Sequence, residues 1–271
     1  VKDPLPAPPS GPIIPDQRRE QILRQLRRHQ VLSVHQLMDM FDCSHMTIRR
    51  DIAVLEKDGQ AYSVPGGVRI ASALATEPSH QSKAVAELPH KQAMATHAAQ
   101  SLRANMTLYL DAGTTTLALV PHISALTGMT VVTNDFSIVM ALAEAQHVTV
   151  IHTGGVLDHP NLSGVGDLAA ETLSRIATDV AFMSTASWDL KRGITTPSPA
   201  KVAVKRAAMA GASKRILIAT SSKYGTFGMY KIAPLQDFDL IITDVGLAEA
   251  AAGGVAQEGV ELALVDVSGV D

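Results

Sequence analysis

"SHMTIRRDIAVLEKDG", residues 44–59, carries two adjacent arginines, Arg49 and Arg50, on a segment whose apolar residues Ile48, Ile52 and Leu55 recur at spacings of four and three. That spacing predicts a helix with one buried stripe. Ser44 offers a hydroxyl suited to capping its first turn, and Gly59 ends it. Met46 is expected to face inward, which leaves His45, Thr47, Arg49 and Arg50 outside. Adjacent helix residues stand about 100° apart, so one arginine can reach base edges while the other reaches a phosphate. The sequence leaves open which does which.

The flanking residues supply the rest of a small domain. Ile22, Leu23 and Leu26 predict an amphipathic helix from about Arg18 to Arg28. Val34, Leu37, Met38 and Phe41 predict a second, with Ser33 as its N-cap, and "DCS" makes a tight connection to the third. Two short helices and a turn, followed by a helix with polar first turns, are the helix-turn-helix pattern, here about Ser33 to Ile52. "QAYSVPGGVRI" then alternates around Pro65-Gly66-Gly67 as a hairpin or wing would, with Arg69 placed for a further phosphate contact. The candidate DNA-binding residues are thus Ser44, His45, Thr47, Arg49, Arg50 and Arg69. Spacing alone is equally compatible with a helical surface module whose arginines are merely solvated, or one that contacts protein rather than DNA.

Charge is uneven along the chain. Residues 16–70 hold nine Lys or Arg against seven Asp or Glu, net +2, and the remainder fourteen against nineteen, net −5, which closes at −3 over 271 residues. Five of the nine cations, Arg18, Arg19, Arg24, Arg27 and Arg28, fall in one short stretch. The single cysteine, Cys43, excludes an intramolecular disulfide. No long apolar run or cleavable signal is visible, so a soluble cytoplasmic protein is expected. The opening 15 residues contain six prolines and read as a flexible leader. Ten histidines form no paired metal-ligand spacing, and neither a Walker loop nor a dinucleotide fingerprint is present, so no metal or cofactor is expected.

After residue 70, "ASALATEPSHQSKAVAEL", residues 71–88, lacks a sustained apolar period and reads as a linker. From residue 89 onward, "TLYLDAG", "MTVVTND", "HVTVIHTGG", "DVAFMST", "RILIATSS" and "DLIITD" are short β-rich runs separated by helical stretches. They predict an α/β domain with a largely parallel sheet over residues 89–271. Ligands of such sheets gather at the carboxyl ends of the strands. The residues after Asp111, Gly113 to Thr116, could cradle a phosphate or carboxylate with amides and hydroxyls, or simply cap a helix. "TND" at Thr133–Asp135, "TGG" at Thr153–Gly155 and "SSK" at Ser221–Lys223 end other runs, and Lys223 could neutralise an anion.

Two groups of motifs resemble one family. The run from Arg18 through the "GG" of the wing, with "MTIRRD" and "L-E-x-x-G", resembles the winged helix-turn-helix of DeoR-type bacterial transcription regulators. "LDAGTTT", "TVVTND", "GITTP", "SSKYG" and "ITDVGL" resemble the effector domain of the same family from about Ala84 onward. The resemblance implies a small all-α winged helix-turn-helix domain followed by an α/β domain related in fold to ribose-5-phosphate isomerase. It also implies that Asp111, Gly113, Thr114, Thr115, Thr116, Asn134, Gly155, Lys205 and Lys223 occupy effector-pocket positions.

The chain departs from the family pattern at "STASWD", residues 184–189, where Ala186 replaces an acidic residue and Ser184 and Ser187 replace glycines, and at Lys201 and Thr220. Lost acidic groups and added bulk, including Trp188, point to a more anionic ligand. The expected function is a DNA-binding regulator, a repressor, whose partners are operator DNA, a small anionic sugar metabolite such as a sugar phosphate, and further copies of itself. The alternative is a sugar-phosphate isomerase-like enzyme with an N-terminal recruitment module. Enediol chemistry needs a carboxylate base, and Ala186 and Lys201 remove two acidic candidates.

Overall fold

The computed structural model describes residues 13–267, and every count or absence below refers to those residues. The expected leader falls mostly on residues 1–12, outside them. Its last member, Pro15, instead opens α1 (Pro15–His29), where a missing amide hydrogen costs nothing. A strand, β1 (Val31–Ser33), separates α1 from α2 (Val34–Phe41), and α3 (His45–Lys57) follows. Ser33 forms a capping box with Gln36, and the Ser44 hydroxyl accepts from the Thr47 amide at 3.3 Å. Ile22, Leu26, Leu37, Ile48 and Leu55 fill the core between the helices. Met46 does not join them: it is 60% exposed, two residues beyond the Ser44 cap on the outer face.

β2 (Ala61–Val64) and β3 (Gly67–Ile70) form the wing, and β1 pairs antiparallel with β3 to give the order β1-β3-β2. The N-terminal part is therefore three helices and a three-stranded sheet. The chain continues through β4 (Ser72–Ala73), α4 (His80–Val85) and α5 (Leu88–Ala99).

The larger part is built from β5 (Thr107–Leu110), α6 (Thr114–Leu117), α7 (Val120–Ser124), β6 (Thr130–Thr133), α8 (Phe136–Leu142), β7 (Thr149–His152), β8 (Val156–Asp158), β9 (Ser163–Val165) and α9 (Asp167–Leu173). It continues with β10 (Thr178–Met183), β11 (Ser187–Asp189), β12 (Gly193–Thr196), α10 (Ala200–Ala210), β13 (Ala212–Ile218), β14 (Thr226–Phe227), β15 (Tyr230–Ala233), β16 (Leu240–Asp244), α11 (Glu249–Gln257) and β17 (Glu261–Val265).

Seven of these strands form a parallel sheet in the order β17-β16-β13-β10-β5-β6-β7, each neighbour pair parallel. All six strands expected from sequence are in it, and β17 is the seventh. Period-two alternation divides the apolar side chains: Leu108 and Leu110 enter the core on one face, Tyr109 the core on the other. The second core also contains Tyr62 of the wing, with Trp188 and Tyr224, so the two parts of the chain share one buried seam.

Candidate functional site

The outer face of α3 and its N-cap carries Ser44, His45, Arg49 and Arg50 exposed and Thr47 half-buried. Not all the arginine-rich stretch of α1 is available beside them. Arg18 is buried against Asp51 of α3, and Arg19 reaches both Asp51 and Asp16, so these two cations lock α1 onto α3. Arg24, Arg27 and Arg28 remain exposed. Arg69 departs from the expected phosphate contact. It is half-buried and its guanidinium donates to the Tyr224 carbonyl across the seam, with burial pushing its pKa down.

The seam is specific and polar as well as apolar. The Tyr224 hydroxyl donates to Glu56 Oε1 at 2.8 Å, and Ser63 donates to Glu56 Oε2 at 2.7 Å. Burial raises the Glu56 pKa despite both bonds. Arg192 donates to the Tyr62 hydroxyl at 2.9 Å and to the Gly59 carbonyl at 3.1 Å, while holding Asp189 at 3.0 Å. Tyr224 meets Tyr62 and Trp188 edge-on at centroid distances of 5.4 and 4.9 Å. Trp188 therefore packs in this seam and is not on the cavity wall, so its bulk does not bear on the ligand's charge.

The cavity, about 280 Å³, lies at the carboxyl ends of the central strands. Of the positions expected there, Asp111, Gly113, Thr114, Thr115, Asn134, Lys205 and Lys223 lie on its wall. Thr116 does not: it is fully buried and its hydroxyl is within hydrogen-bond reach of the carbonyls of Asp111 at 2.6 Å and Gly113 at 2.8 Å, so it braces the turn after β5 from inside and caps no helix amide. Gly155 is also off the wall. It has φ +100°, and a Cβ there would sit 2.7 Å from the Val165 carbonyl, so glycine is required for close backbone packing.

The wall is preorganised by buried hydrogen bonds. Asp111 Oδ2 accepts from Lys205 and from the Ser184 amide at 2.9 Å and hydroxyl at 3.0 Å. Asn134 Oδ1 accepts from the Ala112 amide at 3.1 Å and the Tyr109 hydroxyl at 2.9 Å, and its amide donates to the Gly164 carbonyl. Asp135 accepts from the Gly113 amide at 2.9 Å. Two amides of the turn after β5 are thus already satisfied by protein groups.

Other wall residues escaped the sequence reading. Glu77, Lys83 and Glu87 come from the stretch expected to be a linker, and Lys91 and Lys201 from the helices that follow it and β12. The wall carries five lysines (83, 91, 201, 205 and 223) against three carboxylates (77, 87 and 111), a surplus of +2 on the wall itself, with Asp158 just behind it 3.3 Å from Lys201. The Lys91 ammonium donates to the Lys83 and Ala86 carbonyls, and Lys223 to the Thr185 carbonyl at 2.9 Å. Burial and the nearby Lys83 and Lys91 bring Lys223 down to about 8. Ser163, fully buried on the wall, has a hydroxyl without a protein partner. Among the described residues no His, Cys, Asp or Glu group is arranged to hold a metal, and no helix is long and apolar enough to cross a membrane.

Residues 18–73 match the model of the DeoR-like helix-turn-helix domain, and residues 86–245 that of the DeoR C-terminal sensor domain. An HTH-type transcriptional regulator of Haemophilus influenzae is 41% identical over 253 residues, covering 93% of this chain and 98% of its own. YgbI, an HTH-type transcriptional regulator of Escherichia coli K12, is 41% identical over 250 residues, covering 92% and 98%. The transcriptional repressor AccR of Agrobacterium fabrum is 29% identical over 230 residues, covering 84% and 89%. Among solved structures, ribose 5-phosphate isomerase A from Methanocaldococcus jannaschii aligns over 49% of this chain and 53% of its own, with 13% identity and a TM-score of 0.37. With both family models matched in order and relatives aligned nearly end to end, this chain belongs to the DeoR family of DNA-binding transcriptional regulators.

Proposed function

We infer that the protein is a cytoplasmic repressor that binds operator DNA through the outer face of α3 and is released by a small phosphorylated carbohydrate bound in the strand-end cavity. The observation that carries the effector class is the lysine surplus of the wall. A phosphoryl dianion matches a surplus of two, and Lys91 and Lys223 are held only by backbone carbonyls, which leaves their charge unneutralised by a direct ion pair. The hydroxyls of Thr114, Thr115 and Ser163 on the same wall suit the sugar portion.

The isomerase alternative finds little support in this wall. Asp111 is held by Lys205 and Ser184, Glu77 by Lys201, and Glu87 Oε2 accepts from Thr220 at 3.0 Å. Ala186 lines the cavity at the position where the sequence lacks an acid. A homodimer is the expected binding form, since one helix-turn-helix makes few base contacts and paired readers match a repeated site.

The test is a thermal-shift comparison of sugar phosphates with their unphosphorylated sugars, followed by operator release. A ligand that binds only the native chain raises its melting temperature. Stabilisation and operator release by phosphorylated compounds alone supports the reading; equal response to neutral sugars contradicts it.

A further inference from the structure

Residues 74–87 cross the cavity immediately after the wing. β4 leaves Ile70, pairs in parallel with β14, and the chain then places Leu74, Glu77, Lys83 and Glu87 on the cavity wall. α4, within this strap, has no buried residue. Apolar packing therefore does not hold it; polar contacts do.

The central contact is Glu77. Its Oε2 accepts from Lys201 Nζ at 2.8 Å and lies 3.5 Å from Lys83 Nζ, and its Oε1 accepts from the Thr196 hydroxyl at 3.2 Å. Two ammonium groups and a hydroxyl converging on one planar oxyanion are the donor set that binds a ligand phosphate or carboxylate. Lys201 and Lys83, with Lys205 beyond them, hold the Glu77 carboxyl down at about 2, so it is an anion at any physiological pH.

We propose that Lys83, Lys201 and Thr196 form an oxyanion subsite of the effector cavity, occupied in the free protein by Glu77 and surrendered to the phosphate or carboxylate of the ligand. The inference rests on reading this cavity as the effector pocket. A ligand that enters must displace Glu77, so its apparent affinity is lowered by the fraction of molecules in which the subsite is open. Displacement also moves a strap that continues from the wing through β4. The subsite thus ties ligand entry to the element next to DNA.

Glu77 as a hydroxyl acceptor for the ligand, or as a plain strut, makes the opposite prediction for its removal. Inorganic phosphate is the probe, titrated calorimetrically into the full chain. Glu77→Gln keeps the shape and removes the charge, and it should bind phosphate about tenfold more tightly than wild type. Lys201→Met should lose that binding. Phosphate bound equally or more weakly by Glu77→Gln overturns the subsite while leaving the lysine-lined pocket standing; phosphate bound by neither protein overturns both. Hydrogen exchange on wild type gives an independent reading should Glu77→Gln fold poorly: saturating phosphate should speed exchange of the amides of residues 74–87, and unchanged or slower exchange contradicts displacement.

Discussion

The Tyr224 hydroxyl donates to Glu56 Oε1 at 2.8 Å, joining the residue after the cavity's Lys223 to the last turn of the helix that carries Arg49 and Arg50. Both side chains are buried, at 2% and 3% exposure, and the bond spans 168 residues of sequence. A ligand that reached Lys223 would be one peptide bond from the seam between Tyr224 and α3.

Tyr224→Phe tests that connection. Loss of a buried hydrogen bond to a carboxylate should cost about 1–3 kcal/mol in urea unfolding. Binding of operator alone and of effector alone should persist, while the change in operator affinity caused by effector shrinks. Full coupling in the variant would place the connection elsewhere.

Arg69→Ala should behave as a seam variant rather than a DNA variant. Its guanidinium is committed to the Tyr224 carbonyl, so operator binding should keep its salt dependence while the melting temperature falls. A flatter salt slope would return Arg69 to the DNA interface.

Lys223 gives the pocket a pH dependence. With its ammonium at about 8 in the free protein, phosphate affinity should be high below that pH and fall as the pH rises through it. Lys223→Met should lose the effector response yet melt no lower than wild type at neutral pH, because a charge depressed by burial costs stability wherever it is protonated. Retained induction would move the anion site off Lys223.

Glu77 has the opposite sign. Its folded value, about 2, lies below the ordinary 4.5, so its stabilisation is complete above 4.5 and is lost as the pH falls toward 2. The difference is on the order of 3 kcal/mol. Acid unfolding of wild type and Glu77→Gln should diverge above pH 4.5 and converge below; parallel curves would deny the carboxylate its charge pairing.

The extent to which this structure could be read from sequence follows from the range of the forces involved. Apolar period and serine caps are local, so α2 and α3 appear where Leu37, Ile48, Ile52 and Ser33 place them. β1 is three residues long and exists because Val31 pairs with Arg69 and Ser33 with Gly67, which no local pattern encodes. The cavity contacts of residues 71–88 have no local signature for a related reason: Glu77 and Lys83 act through partners at Thr196, Lys201 and Asn161, contacts made by polar side chains over long sequence separations. Thr116 and Gly155 have the residue types of a ligand loop, but a buried hydroxyl bond to the Asp111 carbonyl and close backbone packing explain them.

Whether the outer face of α3 reads DNA is decided by a salt-series titration. Wild type, Arg49→Ala and Arg50→Ala are measured by fluorescence anisotropy against an operator selected from random duplexes and against a scrambled duplex. Both exposed arginines should weaken operator binding, with folding intact because neither belongs to the Ile48, Ile52, Leu55 core. The base-reading one should cost about 1–3 kcal/mol and relax preference at one base pair per half-site, and the phosphate-contacting one should weaken both duplexes alike and flatten the salt slope by about one unit. Unchanged affinity and slope in both variants would exclude this face from the DNA interface and leave it merely solvated.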